Sequence, residues 1–281
     1  MGARPPIKVH RRARDLPSRI DLEVPDSHNA ADAAILIAHR KFLDSAIDVL
    51  RTGPREMDKP SQFVLVALAV RVIQRAAAAH TLCVQGYGTE ASPLLRAMLS
   101  ALASVIYVAE ENSDSRALAF MADETRIAKK RLPRLRDQGL LTDDEAQRFL
   151  DETTRFNIER IAHYEALGIP TDAPNHGSRT WHGYARDEQF FGAIGLKLWY
   201  DSFYASLSED SHGSVWSVFK EMKSLALGDV TFGPHYEGTR FAVSSSYAFV
   251  TRCLNELDRA LGLNQHATTA ETMRLALARG S

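Results

Sequence analysis

Apolar residues recur every three or four positions through most of this chain and almost nowhere alternate with polar ones. Ile35, Ala38, Phe42, Ala46 and Val49 form one such stripe, and Tyr247, Val250, Leu254, Leu257 and Leu261 form another. That period lines one face of an α-helix, whereas a half-buried strand needs a period of two. No run of alternating β-branched residues bounded by hairpin turns occurs, and no repeat at solenoid spacing. The predicted fold is all-α: a single large helical bundle of about six or seven helices, with no sheet. The stripe at 247–261 lasts barely two heptads, so it reads as a core face rather than a coiled-coil seam.

Hydrophobic residues make up 45% of the 281, enough to bury a core, which excludes a disordered chain. Lys and Arg number 34 against 35 Asp and Glu, a net charge of −1. That balance excludes a surface given over wholly to nucleic acid and leaves room for local basic patches. Cys83 and Cys253 lie far apart, each in an apolar stretch. They read as free buried thiols of a reducing compartment, not as a disulfide or a thiolate metal site. Arg4, Lys8, Arg11, Arg12 and Arg14 make the N-terminus basic, but no apolar stretch follows, so it is not a secretory signal. The most apolar run, Phe63–Val72, is too short to cross a bilayer. The expectation is a cytoplasmic protein with no membrane contact.

Prolines 5, 6, 17 and 25 break up residues 1–27, which read as a flexible basic arm ahead of a helical bundle domain over 28–281. Helical signals begin at Asp26 or Ser27, and Gly53-Pro54 ends the first helix. Ser61 is a candidate cap for a second, which runs to the glycines at 86 and 88. A third spans Pro93 to about Glu110, with Leu95, Met98, Leu102, Val105 and Ile106 inward. A fourth, more polar, runs from Asp114 to about Gln138 and is bent or ended by Pro133. Thr142-Asp-Asp-Glu145 reads as a capped start for a fifth, ending at Gly168-Ile-Pro170. A polar loop follows at 168–186, then a sixth helix from about Phe190 to His212. A second loop covers 228–238, the last long helix runs from Thr239 to Leu261, and a short one closes the chain near 269–278.

Several motifs suggest chemistry and then lose it to a plainer reading. Gly86-Tyr-Gly88-Thr-Glu-Ala91 spells a dinucleotide fingerprint, but a helix precedes it and no βαβ unit follows, so it reads as a helix–helix turn. Arg75 and His80 fit the loose R-x4–6-H pattern of HEPN ribonucleases, as do Arg4 and His10. With ten histidines such pairs arise by chance, and Ala76–Ala79 read as tight helix packing. His176, His182 and His212 have no H-E-x-x-H or paired cysteines around them, so no metal is expected. Arg126, Lys129, Lys130, Arg131, Arg134 and Arg136 crowd one stretch; they read as a solvated face, or as contacts to RNA or DNA phosphates.

The strongest constellation is Tyr200, Tyr204, Ser208 and His212, four residues apart along one helical stripe, with Ser211 beside it. Polar groups on a core helix need partners, because burying them unpaired is costly. Arg96, the one charge in Leu94-Leu-Arg-Ala-Met-Leu99, is the natural partner.

Glu90-Ala-Ser-Pro-Leu-Leu-Arg96-Ala-Met-Leu-Ser100, then Trp181-His-Gly183, then the run from Tyr200 through Tyr204, Ser208 and His212 to Ser214 together resemble the bacterial family catalogued as domain of unknown function 5677. The match in order and spacing covers roughly residues 60–220, and its Y-x3-Y-x3-S-x3-H-G-S piece is the most specific. The resemblance implies a helical fold with no assigned activity, and marks Arg96, Trp181, Gly183, Ser208 and His212. Ser100 stands where the family usually has Glu, which weakens any role for a carboxylate in orienting Arg96. No arginine lies between Tyr200 and His212, so the likeness to HEPN nucleases is one of shape.

Two functions follow as expectations. One is a binding or scaffold module whose polar network fixes helix packing. The other is a HEPN-like, metal-independent ribonuclease or nucleotide-binding protein of a stress or phage-defence system. In it His212 acts as acid or base, Arg96 holds a phosphate, and Ser208 and Tyr204 orient them. Trp181, Tyr200, Ser214, Arg179 and His182 are candidate binding residues around them. The expected partners are RNA or a nucleotide at the basic patches, or a second copy of the chain; no cofactor is implied. A solvated indole leaves apolar area exposed at about 25 cal/mol per Å², so Trp181 is expected to pack down over the sixth helix and cover the cluster. The arm has no apolar periodicity to anchor it. Deleting residues 1–25 should leave the Tm in a thermal melt nearly unchanged, and a large drop would show that the arm docks.

Overall fold

The computed structural model describes residues 30–53, 57–166, 181–204, 207 and 238–262, with side chains for all except 30, 31, 122, 124–131, 152–157, 159 and 160. The basic arm, the loop over 168–180, Ser208–Ser214 and the closing helix expected at 269–278 lie outside the described residues.

Every element of regular structure among the described residues is helical. In order they are α1 (Ala30–Thr52), α2 (Pro60–Val84), a 3₁₀ turn at Thr89–Ala91, α3 (Ser92–Ala109), α4 (Ser113–Asp137), α5 (Asp143–Ala166), α6 (Asp187–Ala193), α7 (Lys197–Trp199) running into a π-helical turn at Tyr200–Tyr204, and α8 (Thr239–Leu261). The all-α reading holds. The sixth helix does not run unbroken from Phe190: α6 stops at Ala193, and Gly195, at φ +73°, separates it from α7. Only glycine takes that left-handed backbone without strain.

The described residues group into two compact units. One takes in those of Met1–Met57, Val66–Ile106 and Leu198–Ser281; the other takes in Asp58–Leu65 and Tyr107–Lys197. In the first, α1 packs along α8, and the predicted stripes face inward: Ile35, Phe42, Ala46 and Val49 on α1 and Val250, Leu254 and Leu257 on α8 are buried. Most of α3 belongs to this unit, and residues 101–108 of that helix are buried on every side, as expected of a helix that is apolar all round. An ion pair between Asp32 and Arg240, 2.7 Å apart, ties α1 to α8.

In the second unit α4 and α5 fold back on one another. The α5 cap forms as read from sequence. The Thr142 N–H donates to Glu145 Oε2 at 2.9 Å, and the Glu145 N–H donates to Thr142 Oγ1 at 3.2 Å, the reciprocal pairing of a capping box. Pro133 lies inside α4, which continues to Asp137. Ser61 is not the α2 cap. Its hydroxyl donates to Asp114 at 2.5 Å, while Gln62 accepts the N–H groups of Asp58 and Lys59.

The alternating-glycine segment is the turn from α2 to α3, with Gly86 at φ +83°. Gly238, at φ +80°, starts α8 against this turn; a Cβ there would sit 3.0 Å from the Thr89 nitrogen. Two helices, Pro60–Val84 and Thr89–Ala109, are by length and composition apolar enough to cross a membrane, a test that a buried core helix also passes. Their apolar windows are 50% and 72% buried inside the molecule.

Gly238→Ala should destabilise the chain more than Gly262→Ala. Both have positive φ, +80° and +67°, but a Cβ at Gly262 meets nothing within 4 Å. A left-handed Cβ alone costs on the order of 1 kcal/mol. Urea denaturation of the two variants should show an excess loss at Gly238; equal losses would contradict the close approach to Thr89.

Candidate functional site

Arg96 and Tyr204, 108 positions apart, meet in the first unit as the stripe argument requires. The Arg96 guanidinium carbon lies 4.9 Å from the centre of the Tyr204 ring, and Nη2 donates to the Tyr204 hydroxyl at 3.5 Å. Tyr200 stacks on Tyr204 with centroids 5.0 Å apart and planes 19° from parallel. The three groups make a ladder of guanidinium, ring and ring. All three side chains are half-buried. The π-helical turn at Tyr200–Tyr204 carries both rings; such turns are rare and concentrate at functional sites. Ser100 takes no part in holding the guanidinium, since its hydroxyl donates back to the Arg96 carbonyl at 3.1 Å. Ser208, Ser211, His212, Ser214 and Arg179 lie outside the described residues.

Trp181 and His182 come together in the second unit, in an aromatic cluster. Trp181 is 8% exposed. It meets Tyr107 and Phe120 edge-on at 5.3 and 5.0 Å, and reaches Phe190 of α6 at 6.1 Å. It thus packs down, with Tyr107, Phe120, His182 and Phe190 as its described ring neighbours. His182 lies flat on Phe190, centroids 3.9 Å apart and planes 3° from parallel. Its Nδ1 accepts the Tyr184 N–H at 3.2 Å, and burial pushes its pKa down to about 3. The Tyr107 hydroxyl is hydrogen-bonded to His163 Nε2 at 2.6 Å. Burial raises the tyrosine and lowers the histidine to about 4, so both stay neutral in that bond. Arg116 lies over the Tyr107 ring at 4.3 Å and donates to Glu110 at 2.8 Å.

A third constellation escapes sequence reading altogether. His39 of α1 and His80 of α2 approach Nδ1 to Nδ1 at 3.2 Å, and His39 Nε2 lies 3.1 Å from the Ser246 hydroxyl of α8. Both histidines are buried. A hydrogen bond between two imidazoles requires one Nδ1 to donate and the other to accept, so at least the accepting ring is neutral, and burial disfavours charge on both. Burial depresses His39 well below the usual value and His80 to about 4; the Arg40 charge lowers His80 further, and His39 is lowered further because two protonated rings would repel. The signal in the sequence was a histidine on an otherwise apolar helical stripe; which stripes meet was not in it. His80 therefore serves a core contact. Arg75, five residues earlier on α2, points its guanidinium elsewhere and donates to the Ala97 carbonyl at 3.0 Å. The two do not share a site.

Cys83 and Cys253 are both buried, and burial pushes each thiol up to about 12, so they remain protonated. Among the described residues no three His, Cys, Asp or Glu side chains gather in a metal-binding arrangement.

The model of a family of unknown function, DUF5677, matches residues 62–225, more than half of the chain. No curated protein and no solved structure matches it significantly.

The buried histidines set the response to acid. Their folded pKa values lie below the usual 6.5, so the unfolded chain takes up protons first as pH falls. Their contribution is therefore complete above about pH 6.5 and lost on descending toward about pH 4. Each buried histidine adds a slope of up to about 1.4 kcal/mol per pH unit in that window. Urea denaturation at pH 7.5 and 5.0 should show this loss, and His80→Phe should reduce the slope. An unchanged slope in the variant would contradict the buried neutral pair.

Proposed function

This chain belongs to the DUF5677 family, a family of unknown function, and we propose that it acts as a non-catalytic helical binding module whose ligand-facing element is the Arg96–Tyr204–Tyr200 ladder. One observation carries the reading: this ladder is a half-buried cation set on stacked rings, whereas all four histidines among the described residues are buried. A guanidinium is charged at any working pH and offers a planar fork of donors, which suits holding an anion. General acid–base work needs instead a group that titrates near neutrality and can be reached. His39, His80, His163 and His182 are buried and depressed.

The ribonuclease reading then rests on His212, and a direct assay separates the two. Single-stranded RNA incubated with the full chain in chelator, at several salt concentrations, should remain intact. His212→Ala should behave as wild type in that assay. Cleavage by wild type that follows a pH curve and disappears in His212→Ala, with the thermal melt of the variant unchanged, would replace the binding reading with the enzymatic one.

A further inference from the structure

The near-zero net charge of the chain conceals one lopsided stretch in the second unit. Six of the eleven residues 126–136 are Lys or Arg, and none is Asp or Glu. All eleven lie on one helix, in the half of α4 that leads into the turn to α5. An α-helix turns about 100° per residue, so Arg126, Lys130 and Arg134 share the side of α4 opposite Leu132 and Leu135. Leu132 is buried and Leu135 half-buried, whereas Arg134 is exposed. Successive cations at a spacing of four residues are about 6 Å apart along the axis, which makes a straight basic ridge about 12 Å long.

The described acids at the start of α5 are occupied away from this ridge. Glu145 accepts from the Thr142 N–H and hydroxyl in the capping box, and Asp151 accepts from the Gln147 amide at 2.8 Å. Asp143 lies 3.7 Å from Arg136, which stands to one side of the ridge, and both are more than half exposed, so that pair is weak. Like charges four apart on a helix repel and destabilise it. Arg126, Lys130 and Arg134 set two such pairs in succession, a cost that an aligned row of anions would relieve.

We propose that this ridge of α4 docks on the phosphodiester backbone of a nucleic acid, by charge and without reading sequence. The surface is separate from the Arg96 ladder and does not depend on it. A nucleic-acid strand carries one fixed negative charge about every 3.4 Å of helix axis, a linear array that a linear row of cations complements along its whole length. Arginine, at two of the three ridge positions, suits phosphate through its planar fork of donors. A lipid surface would be the other large polyanion, but a helix that lies in a bilayer interface needs a free apolar face, and Leu132 on that side of α4 is already buried. Single-stranded RNA, duplex RNA and duplex DNA share the backbone chemistry.

Fluorescence anisotropy of the full chain with labelled oligonucleotides of these three kinds, each in two unrelated sequences and across a salt series, tests the proposal. Arg126→Gln/Lys130→Gln/Arg134→Gln keeps good helix formers on an outer face. It should weaken binding at least tenfold at 100 mM salt, equally for both sequences. The slope of log K against log salt should become shallower by about 2.7 on a duplex or about 2.1 on a single strand, the signature of three lost phosphate contacts. Arg134→Gln alone should remove about one third of that slope change, which keeps the test alive should the triple variant melt early. Arg148→Gln, on α5, should stay within about twofold of wild type. The oligonucleotide bound tightest identifies the natural backbone, and equal binding of all three identifies the backbone charge alone as the target. The proposal is overturned if no oligonucleotide binds at 50 mM salt, or if the triple variant binds like wild type with an unchanged salt slope. It is equally overturned if vesicles of phosphatidylserine and phosphatidylcholine, or polyglutamate, bind through the same three residues more tightly than any oligonucleotide.

Discussion

The contact on which the first unit depends is the one between two neutral imidazoles. His39 and His80, 3.2 Å apart, join α1 to α2, and Ser246, 3.1 Å from the outer nitrogen of His39, adds α8. Helices satisfy their own backbone, so apolar faces alone would let them slide along one another at little cost. A directional polar chain in a dry core removes that freedom, because any other register leaves an imidazole unpaired at a cost of about 1–3 kcal/mol. The alanines at 76 and 79, both buried, let α2 approach closely enough for the contact. Phe42 stands against His39 and Tyr247 and completes its apolar surround.

The second unit meets the same requirement with different groups. Tyr107 carries a ring, a hydroxyl and a carbonyl into the interior, and each has its partner: Trp181 edge-on, His163 at the hydroxyl, Arg116 at the carbonyl. Edge-to-face packing places positive ring edges against negative faces, and here it fixes Trp181 and Phe190 around one tyrosine. His182 stacks on Phe190 as a flat apolar group, which it can do only while neutral. Trp181 and His182 thus act through packing, and neither needs a ligand to explain its position.

Arg96 makes a different kind of contact, a cation over a ring. It is half-buried, and its guanidinium lies over the Tyr204 ring. The π-helical turn beneath the tyrosines widens the local backbone, a departure from ideal geometry that must be offset elsewhere. That departure and the ring ladder together support the proposed binding element.

The sequence by itself determined the helices and their inward faces. Period and punctuation are local, so Gly53-Pro54, the Thr142–Glu145 box and the stripes at 35–49 and 250–257 were all legible. The pairing of Arg96 with Tyr204 was legible too, because a lone charge in an apolar helix must find a polar partner and the tyrosine stripe was the obvious one. The split of the sixth helix was missed, since a single left-handed glycine at 195 decides it. Ser61 was misread because its acceptor, Asp114, lies 53 positions away. His39, His80 and Ser246 each looked like an isolated polar residue on an apolar face. Only the tertiary structure could join them, because which stripes meet, and at what rotation, depends on packing among helices distant in sequence, and side-chain period carries no record of it.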